Sequence, residues 1–336
     1  MIEKQLWHPV ARGADVAQGP VPARLLGEDL VLWRDAQGRV DAWQDRCPHR
    51  GAQLSLGRVV PCEAQDGGSR LECPYHGWRF DAAGQCREVP ALPGFTPPAT
   101  HKARAFAARE AYGLVWVRLD GDDAGELPAF EAEADERLRK LNCGPYVVEA
   151  SAPRLVENFL DMSHFGFVHE GWLGAREMAA IDDYKVEATP TGLLATGCKA
   201  WQPQSSINST RPAHVEYSYE VTAPYCAVLV KIPEAQSVSA DGAGGYRESI
   251  ALFICPTDAE RCTVWFRLAM ADWQRTEDEL RQFQDTIFLQ DKPVLESQRP
   301  KALPLDLRAE LHTAADKASS FYRRYLKGLG ITIGVC

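Results

Sequence analysis

The chain has 336 residues, 45% of them hydrophobic and 25% charged, which describes a globular protein large enough for two domains with separate cores. A net charge of −9 argues against a nucleic-acid partner, because phosphate recognition needs clustered Lys and Arg. The longest apolar runs, such as Leu114-Val-Trp-Val117, are strand-sized, and Met1–Trp7 has no apolar signal-peptide core, so a cytoplasmic protein without a membrane partner is expected.

Residues 1–120 read as strands and turns. Within Trp7-His8-Pro9-Val10, His8 is expected to be a packed surface histidine rather than a ligand. Arg24–Trp33 gives two strand-like runs broken at Gly27-Glu28-Asp29, a turn follows at Gln37-Gly38, and Val40–Trp43 leads into a loop. That loop, Cys47-Pro-His49-Arg-Gly, is echoed by Cys73-Pro-Tyr-His76-Gly-Trp78. Each half-motif carries one thiolate and one imidazole on a short Gly/Pro-bearing turn. Two thiolates and two histidines suit a Rieske [2Fe–2S] centre, and structural zinc uses the same donors, so ligand type alone leaves both open. The long gap between the loops contains Cys62 and Asp66-Gly-Gly-Ser69 and reads as an extended hairpin tip. Trp78–Phe80 and the turn Asp81–Gly84 suggest another hairpin, and Tyr112–Arg118 a closing strand. Acidic Asp120–Glu126 reads as a linker, which gives an all-β domain over 1–130 and a second domain over 145–336.

In the second half, Pro153 marks a helix start. Apolar positions 155, 156, 159, 160 and 162 leave Asn158, Asp161 and His164 on the other face, one turn apart. His169 follows His164 by five residues, one more than a straight helix allows, so the helix is expected to distort or end before it. Residues 182–271 alternate as strands of an antiparallel sheet with one buried face: 184–188, 193–196, 215–219, 227–230, 249–254 and 263–268. Helices are expected over 276–297 and 307–327. Gly328-Leu-Gly330 has no βαβ context and is not a nucleotide-binding turn.

Two imidazoles and a carboxylate with open positions make the facial triad of non-haem Fe(II) oxygenases. On its own face Asp161 is either a ligand or the group that holds the other ring nitrogen of His164. Glu157-Asn-Phe-Leu-Asp161-Met-Ser-His164-Phe-Gly-Phe-Val-His169 resembles the iron-binding segment of Rieske non-haem iron oxygenases, as His-Arg-Gly and His-Gly-Trp around the two upstream loops resemble their ferredoxin domain. The likeness reaches Tyr322–Leu326 and is nearest to the short, demethylating monooxygenases that act on methoxybenzoates and methylxanthines. It implies an α+β architecture: an N-terminal Rieske domain, then a helix-grip catalytic domain built on an antiparallel sheet. Cys47, His49, Cys73 and His76 would hold the cluster, which is expected to be disulfide-free and of low potential. His164, His169 and a downstream aspartate would hold mononuclear Fe(II). Asp291 fits that place, Asp285 is the runner-up, and Glu296 reads as structural. Asp161, with Asn158 beside it, would link iron to cluster.

The implied activity is that of a terminal oxygenase. As a monooxygenase or a dioxygenase, it would hydroxylate or oxidatively demethylate a small aromatic or heterocyclic molecule with O₂ and electrons from a separate NAD(P)H-dependent reductase, directly or through a ferredoxin. A homotrimer is implied, in which the cluster of one subunit feeds the iron of the next. Competing readings are a Rieske electron-transfer protein without catalysis and a zinc-binding structural protein. Phe165, Phe167, Trp172 and Trp201 are candidates for pocket lining, with core packing the commoner role of aromatics, and specificity groups are expected on strands between roughly 200 and 255.

Overall fold

The computed structural model describes residues 1–62, 68–121, 125–204, 212–232 and 248–336. The chain divides into two compact units, Met1–Glu126 and Leu127–Cys336. In the first unit, β1 (His8–Arg12), β2 (Val21–Leu25), β3 (Glu28–Arg34), β4 (Val40–Gln44), β9 (Ala105–Ala111) and β10 (Leu114–Arg118) form an antiparallel sheet in the order β1-β10-β9-β4-β3-β2. A smaller sheet has the order of the chain: β5 (Arg58–Pro61), β6 (Ser69–Glu72), β7 (Arg79–Phe80) and β8 (Cys86–Glu88). Period-two alternation turns one face of each inward. Val31, Trp33 and Trp43 from the larger sheet share a core with Leu71, Phe80 and Cys86 from the smaller one. Trp33 and Trp43 meet edge-on at 5.2 Å, an arrangement aromatic quadrupoles favour.

Two details differ from expectation. The Tyr112–Arg118 run starts its strand at Leu114, because Tyr112 and Gly113 both have positive φ (58° and 72°) and form the turn from β9. His8 is packed but buried, 1% exposed, with Nε2 2.8 Å from the Glu3 carbonyl. β5 and β6 pair as a hairpin, and residues 63–67 of the expected extended tip lie outside the described residues.

The second unit is built on a seven-stranded antiparallel sheet in the order β11-β17-β16-β15-β14-β13-β12. Its strands are β11 (Arg139–Val148), β12 (Lys185–Ala188), β13 (Leu193–Gln202), β14 (Ala213–Ala223), β15 (Cys226–Ile232), β16 (Glu248–Asp258) and β17 (Arg261–Met270). Among the described residues four α-helices accompany it: α1 (Ala152–Leu160), α2 (Phe165–Val168), α3 (Glu277–Ser297) and α4 (Lys317–Leu329). Thr276 and Glu279 form a reciprocal capping box that starts α3. Phe288 of α3 packs on Tyr146 of β11 and Phe266 of β17, with ring centroids 4.6 and 5.2 Å away.

The final helix is shorter than expected. Residues 307–313 are not helical and Ala314–Asp316 form a 3-10 turn: Glu310 is drawn into ion pairs with Arg154 and Arg323, and Thr313 with Asp316 caps the turn that leads into α4. Arg323, 2% exposed, also pairs with Glu157 at 2.6 Å, so α4 is tied to α1 through buried charges. Among the described residues, no helix is long and apolar enough to cross a membrane.

Candidate metal centres

In the first unit the two half-motifs fold into the same turn. Cys47 N–H donates to the carbonyl five residues on, Ala52, at 2.7 Å, and Cys73 N–H does the same to Trp78 at 2.8 Å. Gly51 and Gly77, each four residues after its cysteine, return a hydrogen bond to the cysteine carbonyl at 2.9 and 3.1 Å. Both glycines have positive φ (75° and 69°), which other residues adopt only at a cost. Each loop therefore presents its thiol into the core and its histidine outward.

Cys47 and Cys73 are 2% exposed and belong to the apolar cluster. Burial pushes the Cys47 thiol up to about 12, so in the absence of a cation it stays protonated. The His49 and His76 rings lie 4.6 Å apart, and His49 stacks on Trp78 at 4.4 Å with planes 5° apart. A tetrahedral zinc would draw all four donor atoms to within roughly 4 Å of one another. The two thiols instead sit in the core and the two imidazoles nearer the surface, which suits the Cys-held and His-held irons of a [2Fe–2S] cluster. The ten cysteines, all described, are thiols outside any disulfide.

In the second unit, His164, His169 and Asp291 form a converging group. Ser151 Oγ accepts from Arg154 N–H to cap α1, which ends at Leu160, four residues short of His164 at the end of the expected face. Asp161 is its extended C-cap, and His164 and His169 flank the single turn of α2. The contact expected from a continuous helix is nevertheless made, by an Asx turn. One carboxylate oxygen of Asp161 accepts from Ser163 N–H at 2.9 Å, and the other lies 2.9 Å from His164 Nδ1. Burial raises the Asp161 pKa, but the His164 ring and the Ser163 amide outweigh it and hold the carboxyl below its ordinary value.

His169 Nδ1 lies 2.8 Å from Gln290 Oε1. With both Nδ1–H groups engaged by oxygen acceptors, each Nε2 carries a lone pair, and the two point at one Asp291 oxygen at 3.5 and 3.3 Å. The same oxygen accepts from Asn158 Nδ2 at 3.3 Å. Lone pairs that converge from three sides fit a divalent cation, and soft-to-intermediate imidazole with one carboxylate is the donor set for non-haem Fe(II).

Asp285 is not at this point: it accepts from the Tyr146 hydroxyl. Glu296 accepts from Glu149 N–H at 3.0 Å, a structural role. Gln290 was missed from the sequence, since residues adjacent on a helix point about 100° apart and nothing marks a lone Gln as a ligand's partner.

The triad opens onto a cavity of about 860 Å³. Phe159, Phe165, Ile250, Leu252, Phe266 and Phe288 supply much of its wall. Of the four aromatics singled out, Phe165 lines it. Phe167 is 51% exposed beneath Arg176, Trp172 leans on Phe283 at 5.8 Å and borders an adjoining hollow, and Trp201 is half-buried in β13 away from the wall.

A scan against family models matches residues 6–102 to the Rieske [2Fe–2S] domain and residues 148–330 to the vanillate O-demethylase oxygenase C-terminal domain. The chain belongs to the Rieske non-haem iron oxygenases and is homologous to their terminal oxygenase components, which are oxidoreductases. Within that family it is 35% identical to methylxanthine N1-demethylase NdmA of Pseudomonas putida, over 97% of this chain and 89% of that protein. It is 32% identical to methylxanthine N3-demethylase NdmB of the same organism, over 98% and 90%. Against the vanillate O-demethylase oxygenase subunit of a Pseudomonas species it is 30% identical, over 91% and 95%. The solved structure of NdmA superposes with a TM-score of 0.80 at 32% identity, covering 97% of this chain and 90% of the other.

Proposed function

We propose that this chain is the oxygenase component of a demethylase that removes a methyl group from a nitrogen of a heteroaromatic small molecule, releasing formaldehyde. The observation that carries the reading is the convergence of His164, His169 and Asp291 at the wall of a mostly apolar cavity. Full-length likeness to two methylxanthine demethylases favours nitrogen over oxygen as the demethylated atom. When bound, the iron supplies O₂ activation and the [2Fe–2S] cluster supplies an electron.

The residues divide the remaining work. Cys47, His49, Cys73 and His76 hold the cluster, and His164, His169 and Asp291 hold the iron. Asp161 fixes the tautomer and angle of the His164 ring, and Gln290 does so for His169. Asn158 steadies the Asp291 carboxylate. Phe165, Phe266 and Phe288 exclude water and hold an aromatic ring with its methyl group beside the triad. Likeness to oxygenase components over nearly the whole chain favours electron delivery by a separate reductase. The Asp161 carboxylate, tied to an iron ligand, is the group through which a neighbouring subunit's cluster is reached in the homotrimer we infer.

The test is formaldehyde release coupled to NADH consumption, with a surrogate reductase, from N-methyl heterocycles and methoxyaromatic acids. N-methyl heterocycles are expected to release formaldehyde in step with NADH. Release from methoxybenzoates alone would overturn the choice of nitrogen, and no release from either class would overturn demethylation.

A further inference from the structure

One cross-strand pair breaks the apolar pattern of the cavity. Lys231 of β15 and Glu248 of β16 are direct register partners in the antiparallel ladder, so their side chains share a face with Cβ atoms about 5 Å apart. That face is the cavity wall, where period two brings Leu229 beside Lys231, and Ile250 and Leu252 beyond Glu248. Lys231 is 8% exposed. Among the described residues, neither group forms a hydrogen bond or an ion pair within 4.0 Å. Two charges withdrawn from water without satisfying each other destabilise the fold by several kcal/mol per ion in general, so such a pair persists where it has another use. Burial depresses the Lys231 ammonium pKa against the pull of Glu248, and raises that of the Glu248 carboxyl, which Lys231 opposes and Asp272 reinforces.

The pair lies at the end of the cavity away from the metal ligands. It borders an adjoining hollow that also touches Gln284 and Phe283 but none of the triad. Gln284 is seven residues before Asp291 on α3, two helical turns and about 10 Å along the same face. A single ring at the triad stops short of that end, and a two-ring molecule reaches it.

We propose that Lys231 and Glu248 are the specificity-determining residues of this cavity, reading a carbonyl and an adjacent ring N–H on the edge of a neutral two-ring heteroaromatic opposite the methyl group that is removed. This deepens the demethylase reading and rests on it. Lys231 Nζ donates to the ring carbonyl, and a Glu248 oxygen accepts from the ring N–H. An aromatic carboxylate is disfavoured there because it would meet Glu248 as well as Lys231. A fully N-methylated edge leaves Glu248 buried without a donor.

The experiment measures dissociation constants of theobromine, which keeps an imide N–H between two carbonyls, and caffeine, where that nitrogen is methylated, by calorimetry on the holoenzyme. Formaldehyde release from both is followed in parallel. Wild type is expected to bind theobromine at least about tenfold more tightly than caffeine, because a site built around a hydrogen bond rejects the analogue that lacks it. In the double variant Lys231→Met/Glu248→Leu that ratio is expected to fall to within about twofold. Its thermal midpoint should hold or rise, as when buried ion pairs give way to apolar side chains. Equal wild-type affinities, or a ratio unchanged in the double variant, would overturn the assignment while leaving N-demethylation standing. Absence of formaldehyde from every N-methyl heterocycle would overturn both, and is read separately from the affinities.

Discussion

At Gln290 a neutral amide does the work that a carboxylate does at Asp161: each accepts from the Nδ1–H of one histidine and leaves Nε2 bare. Replacing Gln290 by Leu removes the acceptor and frees the ring of His169. Losing such an outer partner typically weakens metal affinity or activity 10- to 100-fold, and about that loss of Fe(II) affinity is expected in an equilibrium titration, with the cluster absorption unchanged. Wild-type affinity in the variant would show that packing alone orients His169. The two histidines were legible from residue type and spacing, whereas Asp291 was reached only through the family resemblance, because no local pattern marks an aspartate 122 residues downstream of His169 as their partner. Gln290 was not legible, since its partner lies 121 residues away and the pairing exists only in the fold. A second residue-scale case is His8, whose pKa burial lowers to about 4 against the pull of Glu3. Between that value and 6.5 the unfolded chain binds a proton that the folded chain refuses, so stability rises with pH across this window and is lost as pH falls through it. The loss is on the order of 3 kcal/mol. Urea midpoints followed by tryptophan fluorescence from pH 7 to 4 should fall more steeply for wild type than for His8→Gln, and parallel slopes would contradict the assignment.

Among the elements, the segment from α1 to α2 departs most from what periodicity predicts. A continuous helix would stack Asn158, Asp161 and His164, yet α1 ends at Leu160 and an Asx turn makes the Asp161–His164 contact instead. Spacing alone does not separate the two, because an i,i+3 pair can meet on a helix or across a turn. Single-turn α2 is held by backbone rather than side chains: a Cβ on Gly174 would come 2.6 Å from the Gly166 nitrogen, and one on Gly166 would come 2.8 Å from the Ala175 carbonyl oxygen. This close approach is what requires glycine at both positions. Gly174→Ala should therefore push α2 outward, spread His164 from His169, and lower iron occupancy and turnover together while the cluster spectrum persists. Full iron content and activity in that variant would show the approach to be dispensable. Strands β13 to β17 were legible from their alternation. β9 was not, for its Ala-rich sequence has weak strand propensity and is fixed by pairing with β4 and β10. β11 escaped because a register shift around Gly144-Pro145 breaks its alternation.

For the molecule as a whole, the consequence of two compact units is that its two proposed metal sites have different fates on metal removal. The thiols of Cys47 and Cys73, which would hold one iron of the cluster, lie in an apolar core, 2% exposed, and shield that iron from a chelator. The three mononuclear ligands line an open cavity, and each offers one donor atom, so a chelator competes for vacant coordination positions. Incubation with a chelator is expected to remove about a third of the bound iron, the one atom in three outside the [2Fe–2S] cluster. Turnover would be abolished, and the brown visible absorption would remain. Adding Fe(II) back should restore activity to wild type but not to Asp291→Ala, which lacks the third ligand and keeps its cluster spectrum throughout. Bleaching in step with loss of activity would place the essential iron in the cluster alone and return the chain to the electron-transfer reading. Restoration of Asp291→Ala by Fe(II) would remove Asp291 from the ligand set, despite its position between the two imidazoles.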